Sequence, residues 1–405
     1  MKKTLIYVIV AAVFISAAIY FYNIINNNSK NEIIRTKHLT HSNYLFPKKL
    51  NSISQGDIQK YKLFVDKDTL LIFDKNLNLI NKKIIKSTFP YYNYFNYRIT
   101  TINNNKYSSD STIEIISFNK ISFDSLIYIT ELNLNSGEVI IKHKFSPFFK
   151  FNETCDFINR TGMRYYRIDS IYILCLGKEL TDCNKYVYDI SKSNYFKSPN
   201  YGIFKFDSDN NLICINRIGD FSEYSDLKII WQIPFISITQ NKEIILSNYF
   251  SNKIHIYDIM GRKINEIKIN HKNFNFKKFL NSDLLTGGCG INTEKYIFIE
   301  DSTLSFGPVY YLSKYKIYLT SIKYPKSIKN GISSFIFFDN KGKILLEIEN
   351  ENIYNRSYHF VDDYLVRVVL DMEDYDENYR KISFVDIDLY DIIQNTFNKP
   401  WWKFW

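Results

Sequence analysis

Three residue types are scarce in this chain, and their scarcity excludes several classes of protein. Its 405 residues include 13 glycines, 8 prolines and 5 cysteines. Such low glycine and proline content excludes a collagen-like chain and a Pro/Gly-rich disordered chain. The cysteines form no CxxC motif and no cluster with histidine, so we expect no structural metal. GxSxG, HExxH and GxGxxG motifs are also missing, so we expect neither a common catalytic signature nor a dinucleotide cofactor.

Aromatic residues, by contrast, are abundant. Tyrosine occurs 33 times and phenylalanine 32 times, and 45% of the residues are hydrophobic. Aromatic and β-branched side chains fit a pleated, half-buried surface, and no helical periodicity of useful length follows residue 30. We therefore predict an all-β protein.

The net charge is +10, which could indicate a polyanion-binding surface. The lysines are scattered along the chain, however, with only short pairs such as Lys48–Lys49 and Lys277–Lys278. A nucleic-acid footprint should cluster on one face or element. We therefore expect no nucleic-acid partner.

The N-terminus carries an uncharged, almost wholly apolar run over residues 4–22, preceded by two lysines. A run of this length can span a bilayer as a helix. It predicts either a retained signal-anchor or a cleaved signal peptide with small residues at 16–18, and we favour the anchor because the run is long for a cleaved segment. A polar linker over 23–44 follows. This organisation places the rest of the chain outside the cytoplasm, in the cell envelope, and makes the membrane a partner through residues 4–22.

An oxidising compartment would allow cysteines to pair. The five cysteines are Cys155, Cys175, Cys183, Cys214 and Cys289. An odd number leaves at least one thiol unpaired. Among the three that are close in sequence, Cys175–Cys183 is the pair that we favour.

One pattern recurs along the chain: an apolar strand ending in an acidic residue, a short turn with Asn or Gly, and a second apolar strand. It occurs over Leu70–Ile85, Ile127–Phe145, Gly202–Ile218, Ile254–Ile269, Phe335–Ile348 and, more weakly, Ile382–Phe397. The acidic residues that end the first strands are Asp74, Glu131, Asp207, Asp258, Asp339 and Asp386. Each acidic side chain can accept hydrogen bonds from turn amides, and Asn or Gly tolerates positive φ there.

A single hairpin of this kind is marginal in water and must stack its apolar face on a neighbour. A closed ring of such sheets leaves only short, protected edges. The repeats therefore predict a β-propeller over 45–398, with six four-stranded blades after one N-terminal hydrophobic helix. A seventh blade within 270–330 is the alternative count, and a β-sandwich is the alternative fold.

The export segment followed by units such as SNYFSNKIHIYDIMGRKINEIKI (Ser247–Ile269) resembles the uncharacterised six-bladed β-propeller proteins of the bacterial cell envelope. The resemblance covers roughly residues 45–400. Many of those proteins are lipoproteins, whereas no cysteine precedes Cys155 in this chain. The resemblance implies a binding or scaffolding role and supplies no catalytic residues.

Few residues stand out as binding candidates. Gly287 and Gly288 belong to the only glycine cluster and would allow close backbone approach to a ligand. His255 alternates with isoleucines, so it should face away from their apolar side. The aromatic tail 399–405 contains Trp401 and Trp402, which could pack against the first blade or meet a membrane interface.

These observations favour a non-enzymatic, monomeric envelope propeller that binds or scaffolds a protein or glycan ligand. The alternative is a propeller enzyme, a hydrolase or lyase, whose residues converge on the central channel from separate blades. Spacing along the sequence would hide such a site, because a propeller fold hosts many activities.

Overall fold

The computed structural model describes residues 40–41, 46–47, 61–66, 69–74, 78–84, 95–100, 112–119, 126–133, 136, 138–152, 154–158, 165–176, 199–220, 234–249, 251–274, 304–325, 333–350, 358–361, 363–374, 376–377, 379–390 and 392–393. The strands in this part of the chain are β1 (Thr40–His41), β2 (Phe46–Pro47), β3 (Tyr61–Asp66), β4 (Thr69–Asp74), β5 (Leu79–Ile84), β6 (Phe95–Thr100), β7 (Thr112–Asn119), β8 (Ile127–Asn133), β9 (Val139–Phe145), β10 (Phe148–Phe151), β11 (Thr154–Phe157), β12 (Tyr165–Ile168), β13 (Ile171–Cys175), β14 (Tyr201–Phe206), β15 (Leu212–Ile218), β16 (Phe235–Ile238), β17 (Ile244–Ser247), β18 (Lys253–Tyr257), β19 (Lys263–Lys268), β20 (Ser305–Leu312), β21 (Ile317–Lys323), β22 (Ser333–Phe338), β23 (Ile344–Asn350), β24 (Tyr358–Val361), β25 (Leu365–Asp374) and β26 (Tyr379–Asp388).

These strands form antiparallel sheets whose strands follow one another in chain order. Sheet I contains β3–β5, sheet II β6–β9, sheet III β12–β15, sheet IV β16–β19 and sheet V β20–β23. Sheet VI contains β24–β26, and β10 and β11 form a separate two-stranded sheet. Within 270–330, β20 and β21 belong to sheet V, and residues 275–303 lie outside the described residues.

Sheet VI joins the first and the last of the described strands. Its third strand, β26, pairs with β25 on one side and with β1 and β2 on the other. The N-terminal strands therefore supply the outer strand of the last sheet, which ties the beginning of the fold to its end.

Five of the six predicted hairpins are confirmed as consecutive paired strands: β4–β5, β8–β9, β14–β15, β18–β19 and β22–β23. The sixth is wrong. After β26 the backbone becomes helical instead of turning into a second strand. Leu389, Ile392 and Ile393 are buried there in one cluster, and their spacing of three and four residues is that of one helical face.

The second strands of sheets III and IV, β13 and β17, are buried on both faces. In β13, Ile171 and Ile173 belong to one hydrophobic cluster and Tyr172 and Leu174 to another. Successive side chains of a strand point to opposite faces, so β13 is covered from both sides. The same division holds in β17, where Ile244 and Ile245 belong to different clusters.

Each hydrophobic cluster lies between two sheets that are consecutive in the chain. One cluster joins sheets II and III, the next III and IV, the next IV and V, and the last V and VI. Four-stranded antiparallel sheets that stack face to face in chain order are the architecture of a β-propeller. The all-β fold and its propeller class are therefore confirmed.

The acidic turns form as the sequence predicted in sheets III, IV and V. The carboxylate of Asp207 accepts from the amides of Asp209 and Asn211 at 2.9 and 2.8 Å. Asp258 and Asp339 repeat the arrangement, each accepting from the amides two and four residues later at 2.9 Å. The third residue after each aspartate has positive φ, and these residues are Asn210, Gly261 and Gly342.

Two of the acidic residues that were predicted to form turns, Glu131 and Asp386, lie within strands instead. Glu131 lies within β8, opposite Ile140 on β9, so it precedes the turn rather than forming it. Asp386 lies within β26 and binds Arg367 of β25 through two hydrogen bonds of 2.6 Å. The pattern of an acidic residue after apolar ones does not distinguish a turn residue from a cross-strand ion pair.

The positive-φ residue of each turn also contacts the preceding sheet. The side chain of Asn210 binds His143 of sheet II, and Gly261 accepts from Asn216 of sheet III at 3.0 Å. Gly342 accepts from the amide of Asn270, beyond β19 of sheet IV, at 3.0 Å. The turn is thus a repeated docking point between neighbouring sheets.

Gly342 is the turn residue whose replacement we expect to be most harmful. A Cβ there would overlap the carbonyl oxygen of Lys268, and the left-handed conformation costs a non-glycine residue roughly 1–2 kcal/mol by itself. Gly342→Ala should therefore lower the free energy of unfolding by at least roughly 2 kcal/mol in urea denaturation. Lys341→Ala in the same turn is the control and should change it by less than about 0.5 kcal/mol. Equal effects would contradict the docking role.

Candidate functional site

The strongest candidate for a binding surface is a group of three tyrosines around one lysine. The ammonium nitrogen of Lys314 lies 4.3 Å from the ring centre of Tyr364 and 4.9 Å from that of Tyr390. The ring centre of Tyr315 lies 5.3 Å from the same nitrogen. Cations within about 6 Å of a ring centre are attracted to its face. We call these four residues the Lys314 cluster.

Two sheets and the segment after β26 together position the Lys314 cluster. Ser313 and Lys314 lie in the β20–β21 turn of sheet V, and Asp363 lies in the β24–β25 turn of sheet VI. One carboxylate oxygen of Asp363 accepts from the Ser313 hydroxyl at 2.7 Å and from the Lys314 amide at 3.3 Å. The amide of Leu389 donates to the Tyr364 carbonyl at 2.8 Å. Because Leu389 is fully buried, the core of sheets V and VI fixes the position of this surface.

The Lys314 cluster is open to solvent. Tyr364 is 57% exposed and Tyr390 is 47% exposed, and Lys314 is exposed as well. A tyrosine ring combines an apolar face with a hydroxyl, which is why tyrosine is enriched at interfaces. The cluster therefore offers aromatic contact area, hydroxyl groups and a positive charge in one place.

The sequence predictions missed this surface. Its residues come from three separate connections, Ser313–Lys316, 363–364 and the segment after Asp388, so no local motif contains them. The only local signal is a tyrosine beside a charged residue in each connection, in a chain that has tyrosines throughout.

A second polar cluster lies between sheets II and III. Glu114 of β7, 1% exposed, forms an ion pair with Arg167 of β12, and the guanidinium of Arg167 also lies 5.3 Å from the ring centre of Tyr172. The Tyr172 hydroxyl is 3.3 Å from Nε2 of His143, whose Nδ1 lies 2.5 Å from the side-chain oxygen of Asn210. The network thus runs across the junction of the two sheets.

Burial dominates the protonation of this network. Burial raises the pKa of Glu114 to about 7, against the opposing effect of Arg167. Burial also raises the pKa of Tyr172 to about 12 and lowers the pKa of His143. Shifted pKa values occur at active sites and equally in structural ion-pair networks. The stacking of His143 on Phe206 at 3.6 Å shows that this network helps to hold the two sheets together.

The structure places His255 in β18, where it is buried. Ile254 and Ile256 pack in the cluster between sheets IV and V, whereas Tyr257 belongs to the cluster between III and IV. His255 therefore faces away from the isoleucines, as predicted. Its Nε2 lies 3.4 Å from a carboxylate oxygen of Glu266, yet burial lowers the pKa of His255 to about 4.

The other sequence candidates stay predictions. Gly287, Gly288, Trp401 and Trp402 lie outside the described residues, as do residues 4–22. Cys175 is buried in β13, but Cys183 lies outside the described residues, so their pairing stays a prediction. In the described ranges there is no group of three His, Cys, Asp or Glu residues that could hold a metal. The same ranges contain no helix long and apolar enough to cross a membrane.

No protein family and no curated protein sequence matches this chain. Among solved structures it is similar to a member of the DUF4221 family from Bacteroides vulgatus, with 11% identity, a TM-score of 0.47 and coverage of 87% of this chain and 99% of that one. It is also similar to the WD40 domain of SCAP from fission yeast, with 10% identity, a TM-score of 0.34 and 84% coverage of each chain. A third similar structure is virginiamycin B lyase from Staphylococcus aureus, with 10% identity, a TM-score of 0.34 and coverage of 86% and 100%. The propeller assignment rests on the sheets of this chain itself.

The raised pKa of Glu114 predicts a pH-dependent stability. Between about pH 4.5 and pH 7 the folded protein binds a proton at Glu114 that the unfolded chain releases. Stability should therefore fall as pH rises through this window. Relative to Glu114→Gln, the wild type should lose up to about 3 kcal/mol of unfolding free energy between pH 4.5 and pH 8.

Urea denaturation at several pH values measures this difference. Tyr172→Phe is the control, since the pKa of Tyr172 is about 12 and its hydroxyl does not titrate in the window. Other titrating groups are common to all three proteins, so their contributions cancel in the comparison. Parallel pH profiles for the wild type and Glu114→Gln would show that Glu114 is not protonated in the folded protein.

Proposed function

We propose that this protein is a non-enzymatic, monomeric β-propeller of the cell envelope that binds or scaffolds a protein or glycan ligand. In this proposal six sheets close into a ring, with β1 and β2 completing sheet VI. Residues 1–22 are retained as a membrane anchor, and the propeller lies outside the cytoplasm. The apolar run over residues 4–22 supports the anchor.

The observation that carries the binding function is the Lys314 cluster. Scattered exposed hydrophobic residues are normal on protein surfaces, but here two half-exposed tyrosines flank one ammonium group. The underlying turns are fixed by Asp363 and by the buried Leu389. A surface that is both exposed and held in place binds a ligand without a large ordering cost.

A second candidate function is the propeller enzyme, a hydrolase or lyase. One observation favours it: Glu114 has a pKa of about 7, suitable for a general acid or base near neutral pH. However, Glu114 is 1% exposed and its carboxylate is occupied by Arg167. We therefore propose a structural role for this network and a binding role for the protein.

Photo-crosslinking in cells tests the binding function. A photoreactive amino acid replaces Lys316, which is exposed in the β20–β21 turn, or Met260, which is 40% exposed in the β18–β19 turn. Irradiation should give a defined adduct from position 316 and none from position 260. The adduct should disappear in the Tyr364→Ala/Tyr390→Ala variant, because the tyrosines provide the contact surface. Identical adducts at both positions, or none at 316, would contradict the proposal.

A further inference from the structure

We propose that the Lys314 cluster recognises a carboxylate side chain in an acidic segment of a protein partner. This inference rests on the proposed binding function and specifies its ligand. The chemistry is a salt bridge from the partner's Asp or Glu to the Lys314 ammonium, with the partner chain lying across the exposed tyrosines.

The charge of Lys314 is not balanced within the described part of the chain. There, no carboxylate forms an ion pair with its ammonium group. Asp363 accepts instead from the Ser313 hydroxyl and the Lys314 amide, and Asp388 accepts from the Tyr390 amide. The three rings hold the ammonium in a restricted volume. A positioned ammonium that forms no ion pair among the described residues is suited to an anionic ligand, because little side-chain entropy remains to be lost on binding.

A second observation also calls for a hydrogen-bond acceptor. The hydroxyl of Tyr315 is buried and, among the described residues, has no hydrogen-bond partner. A buried polar group without a partner is rare and needs an explanation. A carboxylate has two acceptor oxygens, and one bound at Lys314 would bring an acceptor beside the Tyr315 side chain, whose ring centre lies 5.3 Å from the ammonium nitrogen.

The surroundings favour a protein segment as the source of the carboxylate. Tyrosine is among the residue types most enriched where binding energy concentrates in protein–protein interfaces, and Tyr364 and Tyr390 expose their rings on either side of Lys314. The chain carries a net charge of +10, which attracts an acidic partner over a distance and accelerates association.

Binding of poly-L-glutamate to the full-length protein tests the inference, with isothermal titration calorimetry at low salt as the readout. Lys314→Met keeps the length and apolar contacts of the side chain but removes its charge, so the dissociation constant should rise about tenfold or more. Lys314→Arg should stay within about threefold of the wild type. Lys341→Met removes an exposed lysine from another turn of sheet V and should leave the dissociation constant unchanged.

The possible outcomes are distinct. If Lys314→Met and Lys341→Met weaken binding equally, binding of poly-L-glutamate depends only on the net charge of the protein, and the inference is overturned. If polygalacturonate binds in a Lys314-dependent manner and poly-L-glutamate does not, the ligand is an acidic glycan; the inference then fails while the proposed function stands. Failure of the proposed function itself is seen separately, in the absence of the adduct from position 316. Unchanged thermal denaturation of each variant establishes that the fold is intact.

Discussion

The structure depends on strands that are apolar on both faces. In β17, the neighbouring residues Ile244 and Ile245 are both buried, one towards sheet III and the other towards sheet V. Such a strand is stable only when a sheet covers each side, because a sheet covered on one side only would leave its other apolar face in water at a cost of roughly 25 cal/mol per Å². Stacking in chain order satisfies this requirement for sheets III, IV and V, and the pairing of β26 with β1 and β2 joins the last sheet to the start of the fold.

Aspartate side chains in the turns help to position the stacked sheets. Asp207, Asp258 and Asp339 each fix a turn whose positive-φ residue then contacts the sheet before it. The side chain that terminates a hairpin therefore also determines where the next sheet docks. Gly342 fits against the backbone of Lys268 only because it has no Cβ. At the same end of sheet V as the Asp339 turn, Asp363 helps to position the Lys314 cluster, since its carboxylate accepts from the Lys314 amide.

Much of the fold could be predicted because its signals are local. Each hairpin of sheets III to V can be recognised in the sequence, because its two apolar strands, its aspartate and its short turn lie within about twenty residues of one another. β1 and β2 have two residues each, which is too short for any periodic pattern, and their partner β26 lies at the opposite end of the chain. The Lys314 cluster could not be predicted either, since Tyr315, Tyr364 and Tyr390 come together only when sheets V and VI stack. His255 was recognisable as a residue of the opposite face, but its burial depends on the neighbouring sheet.

Paired core substitutions in one strand test the central claim most directly. Ile244→Ala and Ile245→Ala alter adjacent residues that face different sheets, and urea denaturation measures the free energy of unfolding of each. Stacking on both sides predicts that each substitution costs about 2–5 kcal/mol. A two-layer sandwich, in which one face of this strand meets solvent, would make one of the two substitutions nearly neutral, and that result would contradict the account.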